Sequence, residues 1–244
     1  MASLDWAVIG ALARRTFRSA IESPIAYVAG VFFYLFVGTL MSVNYFAQNQ
    51  ASLEGVAAIG PWGLWFVVPV LTMGLLAEEM RSGTFESLST LPVTDAEIVI
   101  GKFAGFAMVA AFLVAGLFFY VFINAITVQG GLGLDWGGAA GTIASLFFLA
   151  LLFGAVGLFA SSLAKNQVVA VIIALLFCTF FFLVGQFYTT LPGGLARLAD
   201  FLGVSSHLAS LSRGVWDIRD IFYFISVAAF FLFLTVQRLA TRRF

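Results

Sequence analysis

The residues that could do chemistry in this chain are few, and most of them gather in one stretch. Seven charged side chains, Glu78, Glu79, Arg81, Glu86, Asp95, Glu97 and Lys102, lie within EEMRSGTFESLSTLPVTDAEIVIGK, residues 78–102. Their types and spacing suit docking rather than catalysis. Glu78 and Arg81, three residues apart, can pair on one helical face. Phe85, Leu88 and Leu91 make a short apolar stripe that Pro92 ends. Thr94 reads as an N-cap, and Glu97 completes a capping box for the helix that follows. A short amphipathic helix in such a loop offers a surface to a partner. Its candidate contact residues are Glu78, Glu79, Arg81, Gly83, Thr84, Phe85, Glu86 and Leu88.

Elsewhere reactive side chains are scarce. Cys178 is the single cysteine and His207 the single histidine, which excludes an intramolecular disulfide and argues against a metal site or a histidine-based dyad. There is no HExxH and no pair of membrane aspartates, and Gly101-Lys102 lacks the glycine spacing and the following Ser or Thr of a P-loop. The expectation is no catalytic residue, no metal and no directly bound cofactor. If ATP drives this protein, it is hydrolysed on another chain. Asn44, Thr72, Asn124, Thr127 and Gln186 are polar residues within apolar runs, suited to lining a pathway or to packing. Gly101 and Gly105 form a small-xxx-small pair, read as helix packing within the chain.

The elements that hold these residues are set by composition. Of 244 residues 62% are hydrophobic and 10% charged, against about 25% charged in a soluble domain. That composition excludes a soluble domain and indicates an all-α membrane protein. Uncharged runs at 55–77 and 103–134 flank the charged loop, and each exceeds the roughly 20 residues that cross a bilayer as a helix. Six spans are expected, at about 25–45, 61–77, 98–128, 141–163, 168–188 and 221–236, with Pro61 opening the second and Pro69 kinking it. Residues 1–24 read as an N-terminal interfacial helix with Arg14, Arg15 and Arg18 toward phosphate headgroups. The first fifteen residues do not have the order of a signal peptide. Residues 25–244 form the six-span domain. The spans carry no charge near their middles, which disfavours an ion-coupled carrier.

Leu208, Leu211, Val215 and Ile218 recur at helical spacing within the segment 189–219, which reads as a re-entrant or interfacial helix with Trp216 at the interface. Arg213, Asp217, Arg219 and Asp220 are close enough in sequence for local ion pairs, and His207 reads as a polar interfacial residue. Nine Lys and Arg fall on the side of the termini and of the charged loop, against three on the other. The positive-inside rule therefore makes both termini and the loop cytoplasmic and the segment 189–219 extracytoplasmic.

AEEMRSGTFESL and TLPVTDAEIVIGKF resemble the cytoplasmic loop between the second and third spans of type-2 ABC exporter permeases. SPIAYVAGVFFYLFVG and SHLASLSRGVWDIRDIFYF extend the resemblance, and these pieces are most similar to gliding-motility-associated permease subunits. Met80 stands where that family often has a basic residue. The resemblance implies a coupling helix within 78–97 that docks on an ATP-binding-cassette ATPase subunit carrying ATP and Mg. It further implies a second permease chain, identical or homologous, an extracytoplasmic accessory subunit, and a bacterial inner membrane location. No nucleic-acid partner is expected. The implied function is ATP-driven export. The alternatives are an assembly or force-transmitting component of the gliding-motility type, and an ion-coupled carrier.

The charge asymmetry is checked with cysteines placed at Ala2, Gln50, Ser87 and Leu195 and an impermeant thiol reagent on intact cells. Positions 50 and 195 should label and positions 2 and 87 should not. Labelling at 2 or 87 overturns the orientation.

Overall fold

In a bilayer every backbone N–H and C=O must find a partner within the protein, so apolar runs of this length fold as helices. The computed structural model describes residues 5–48, 54–84, 93–127, 136–186 and 192–241, and these form eleven helices. Six candidate spans are long and apolar enough to cross a membrane, at 24–43, 55–82, 95–123, 136–163, 167–184 and 218–240. The chain is an all-α, six-span membrane protein. Helix α1 (Trp6–Glu22) precedes the first span, α2 (Pro24–Gln48). The second span is two helices, α3 (Glu54–Thr72) and α4 (Gly74–Ser82), and so is the third, α5 (Asp95–Ala115) and α6 (Phe118–Thr127). Helices α7 (Trp136–Leu163) and α8 (Gln167–Val184) are the fourth and fifth spans. Two short helices, α9 (Gly193–Leu202) and α10 (Val204–Ser212), lead to the sixth, α11 (Ile218–Ala240).

The second and sixth spans are longer than hydropathy alone suggests. Pro61 lies inside α3 rather than at its start, because a proline removes one hydrogen bond without forbidding a helix in a membrane. The helix of the second span also runs past Ala77 to Ser82.

The fourth span is the centre of the bundle. It packs against the second, third, fifth and sixth spans and against α10. Its buried residues include Gly141, Ala150, Gly154, Gly157, Ala160 and Ser161. Small residues let backbones approach where no water drives association and packing alone must hold the helices. Phe33, Leu64, Phe106, Leu149, Phe153 and Phe224 fill the surrounding core. Two tyrosines tie the first span to the third: the Tyr34 hydroxyl donates to the Leu113 carbonyl at 2.6 Å, and the Tyr120 hydroxyl to the Tyr34 carbonyl at 2.7 Å.

Helix α1 does not stand apart from this bundle. Ile9 and Ala13 are buried, and α1 packs along the start of α5. A Cβ added at Gly101 would lie 2.6 Å from Leu12 Cβ, and one at Gly105 would lie 2.7 Å from the Ala13 carbonyl oxygen. The small-xxx-small pair therefore serves packing within the chain, and its partner is the N-terminal helix. Two local features fix the register. Thr94 and Glu97 form the expected capping box, and Glu97 also accepts the Asp5 backbone N–H at 2.8 Å. The carboxylate that caps α5 thus pins the start of α1.

Replacing Gly105 by Val should force α1 off α5. Overpacking of this kind costs about 1–3 kcal/mol. The purified variant should unfold at lower temperature and be cut faster by trypsin at Arg14, Arg15 and Arg18. Wild-type cleavage rates would show that the contact does not hold α1.

Candidate functional site: the broken second span and its charged end

Two prolines, Pro61 and Pro69, interrupt the hydrogen-bond ladder of the second span. The helix breaks at Met73, between α3 and α4, and side chains of the second span itself and of other spans bond to the backbone around the break. Thr72, fully buried, donates its hydroxyl back to the Val68 carbonyl at 2.9 Å. Ser161 of the fourth span accepts the N–H groups of Leu76 at 3.0 Å and Ala77 at 2.9 Å. The same hydroxyl donates to the Met73 carbonyl at 2.8 Å. One side chain therefore closes both sides of the break. Gly157, a turn before Ser161, faces Thr72 so closely that any side chain there would collide with it.

Lys102 supplies the other clamp. Its ammonium, on the first turns of the third span, donates to the Leu75 carbonyl at 2.6 Å and pairs with the Glu79 carboxylate at 2.8 Å. Both side chains are largely buried, with 7% and 22% of their surface exposed. Such a pair adds little net stability against its desolvation, but removing one partner strands a buried charge, so it specifies register. The lower half of the second span is thereby tied to the third and fourth spans.

The other loop residues are placed differently. Glu78 and Arg81 are exposed, and the pair expected between them does not form, because the adjacent carboxylate, Glu79, is the one turned inward to a cation. Gly83 has φ 73° and ends α4 in the left-handed conformation, which glycine adopts without strain. Thr84 bonds back to Ser82 Oγ at 2.9 Å and resumes helical backbone. Glu78, Glu79 and Arg81 therefore belong to the end of the second span, not to a separate helix beginning at residue 78. A glycine after an arginine-bearing last turn is a helix-stop signal that the sequence contains. Phe85, Glu86 and Leu88 lie outside the described residues.

Of the candidate pathway residues, Thr72 packs at the break and Gln186 is exposed beyond the fifth span. The side chains of Asn44, Asn124 and Thr127 lie outside what is described. Sequence reading did not single out Ser161 or assign Lys102 a partner, since a serine in a small-residue span and a lysine at a span end carry no signal of a distant contact.

At the opposite end of the bundle a second polar cluster ties the short helices to the sixth span. His207 Nδ1 meets Asp220 Oδ1 at 2.6 Å, and Ser210 donates to the other Asp220 oxygen. Tyr223 stacks on the His207 ring with centroids 4.1 Å apart and donates its hydroxyl to the Leu202 carbonyl at 2.6 Å. His207 and Ser210 both engage Asp220, and among the described residues no serine hydroxyl bonds to the His207 ring to become a nucleophile. The cluster is a tether. The ion pairs expected among Arg213, Asp217, Arg219 and Asp220 do not form: Arg213 bonds the Ala209 carbonyl and Asp217 caps α11. The apolar face expected from Leu208 to Ile218 also divides, with Leu208 and Leu211 buried and Val215 and Ile218 exposed, because Gly214 at φ 78° ends the helix between them.

Among the described residues no group of histidine, cysteine, aspartate or glutamate could hold a metal. A search among curated proteins finds no match. A family model described as ABC-2 family transporter protein matches residues 10–201, a range that takes in the broken second span, the charged loop and the central fourth span. The chain belongs to the ABC-2 family of transporter membrane proteins, as the permease subunit of an ABC transporter.

Proposed function

We infer that this permease couples ATP hydrolysis on a separate ABC ATPase subunit to export across a bacterial inner membrane, and that the lower half of the second span is the lever. One observation carries this reading. The charged loop continues directly from a helix that is broken at Met73 and re-tied, through Ser161 and Lys102, to two other spans. A push on the loop reaches α4 first. Because α4 is fastened to the third and fourth spans, it moves them rather than bending alone at the break.

The segment 84–91, with Phe85 and Leu88 as its apolar residues, is the docking surface in this reading. Both termini are cytoplasmic, as the charge asymmetry requires. A second permease chain faces the first. The first and fifth spans both pack on the second and expose Tyr27, Val31, Leu35, Val168, Ile172 and Leu176, an apolar surface for a copy or homologue. The mass of the solubilised complex should correspond to two permease chains. Movement of a defined cargo in liposomes distinguishes export from a force-transmitting output of the gliding-motility type.

Phe85→Ala should weaken ATPase association about thirtyfold, the loss of roughly 2 kcal/mol typical of an aromatic anchor. Glu86→Gln should cost about 1 kcal/mol or less at an exposed rim. Pull-down of the ATPase and its membrane-stimulated hydrolysis rate measure both. Wild-type behaviour of Phe85→Ala in both assays removes the docking site from this loop.

Ser161→Ala separates docking from transmission. It leaves the Leu76 and Ala77 N–H groups unpartnered, at about 1–3 kcal/mol for each orphaned group. ATPase association should be retained while hydrolysis loses its coupling to transport. Coupled transport at the wild-type rate would show that the break is not part of the lever.

A further inference from the structure

Beside the lever lies a partly open cavity of about 450 Å³, between α1, the start of the first span, the second span and the head of the third. Its wall is mixed: Val70, Leu71 and Ile25 are apolar, while Arg15, Ser19 and Glu78 are polar or charged. Val70 and Glu78 are eight residues apart on the second span, which is about 12 Å of helix. The cavity therefore runs from the charged loop into the apolar layer, across the depth where a phospholipid headgroup meets its chains.

The charges on this wall are not equivalent. Lys102 and Glu79 also line it, but they are committed to each other and to the Leu75 carbonyl. Arg18, one turn along α1, is paired with Glu22 at 2.8 Å and is not part of the wall. Arg15 and Glu78 remain: both are exposed, and neither forms an ion pair among the described residues. One unpaired cation and one unpaired anion on the wall of a cavity that also carries apolar side chains match a zwitterionic headgroup carrying a phosphodiester and a primary ammonium.

We propose that this cavity binds one phospholipid of the leaflet at the loop end, with its phosphodiester on Arg15 and an ethanolamine-type ammonium on Glu78. An arginine fork matches phosphate oxygens two at a time. A carboxylate accepts N–H donors that a trimethylated headgroup does not have. The acyl chains leave past Val70, Leu71 and Ile25. The site involves no ATPase contact and is independent of the coupling role of the loop. It makes α1 a lipid-reading element as well as a packing one.

The test uses the full-length chain, purified in detergent and stripped of lipid, with native mass spectrometry as the readout. Dihexanoyl phosphatidylethanolamine, dihexanoyl phosphatidylcholine and inorganic phosphate are titrated separately. The ethanolamine lipid should bind at one per chain and more tightly than the choline lipid. Arg15→Gln should weaken it about tenfold or more, as loss of a charged hydrogen-bond partner does. Glu78→Gln should abolish the preference for ethanolamine over choline. Ala20→Phe, which fills the cavity wall without touching a charge, should also prevent binding, and thermal unfolding establishes that each variant is folded. Equal binding of both lipids by the wild type overturns the headgroup assignment. Unchanged binding in Arg15→Gln and Ala20→Phe overturns the site. Inorganic phosphate binding as tightly as the lipid shows a simple anion site instead and overturns the proposal.

Discussion

The hydroxyl of Ser161 closes a gap that the second span could not close for itself. A helix broken inside a membrane exposes N–H and C=O groups that hydrocarbon cannot satisfy, each at a cost of several kcal/mol. Ser161 takes two of the N–H groups and donates to the Met73 carbonyl, and Lys102 donates to the Leu75 carbonyl. Without them the break would either close into a straight helix or open to water. Everything at the loop end follows from its being held. The direction of α4 is fixed, Glu79 is placed against Lys102, and a cavity remains between α4 and α1.

The two ends of the bundle use the same device. At each end a carboxylate and a cationic or titratable partner sit mostly out of water and join elements distant in sequence, Glu79 with Lys102 and Asp220 with His207. Apolar packing alone is weakly specific in a membrane, because lipid tails compete with any leucine face. A polar contact that must be made in one place supplies the missing register. Between the two clamps the small residues of the fourth span allow close approach, so a displacement at one end meets tightly packed backbones rather than compressible side chains.

The spans were legible in the sequence because hydropathy is a local property, and so was the Thr94–Glu97 capping box, whose partners are three residues apart. The end of the second span was read too early, at about 77, where hydropathy falls; Gly83 after an arginine-bearing turn marks the true end, but the i, i+3 spacing of Glu78 and Arg81 suits the end of one helix and the start of another equally. The clamps were not legible. Ser161 lies 85 residues from Leu76, and nothing near either residue announces the other. The face of α1 that packs was half readable. Gly101 and Gly105 indicated a close crossing, yet the partner helix emerges only when the chain is folded back on itself.

Adjacent carboxylates on one helix point about 100° apart, and Glu78 and Glu79 take opposite fates for that reason. Glu79 is carried inward to Lys102 and becomes part of the fastening. Glu78 is carried to the cavity wall and stays unpaired among the described residues. Sliding the helix by one residue so that Met80 took the place of Glu79 would strand Lys102, a penalty of several kcal/mol. The register of α4 is thus held by the inward carboxylate together with Ser161, which leaves the outward carboxylate free for recognition. An element that transmits force must keep its register under load, and any ligand it reads must not be part of what holds it.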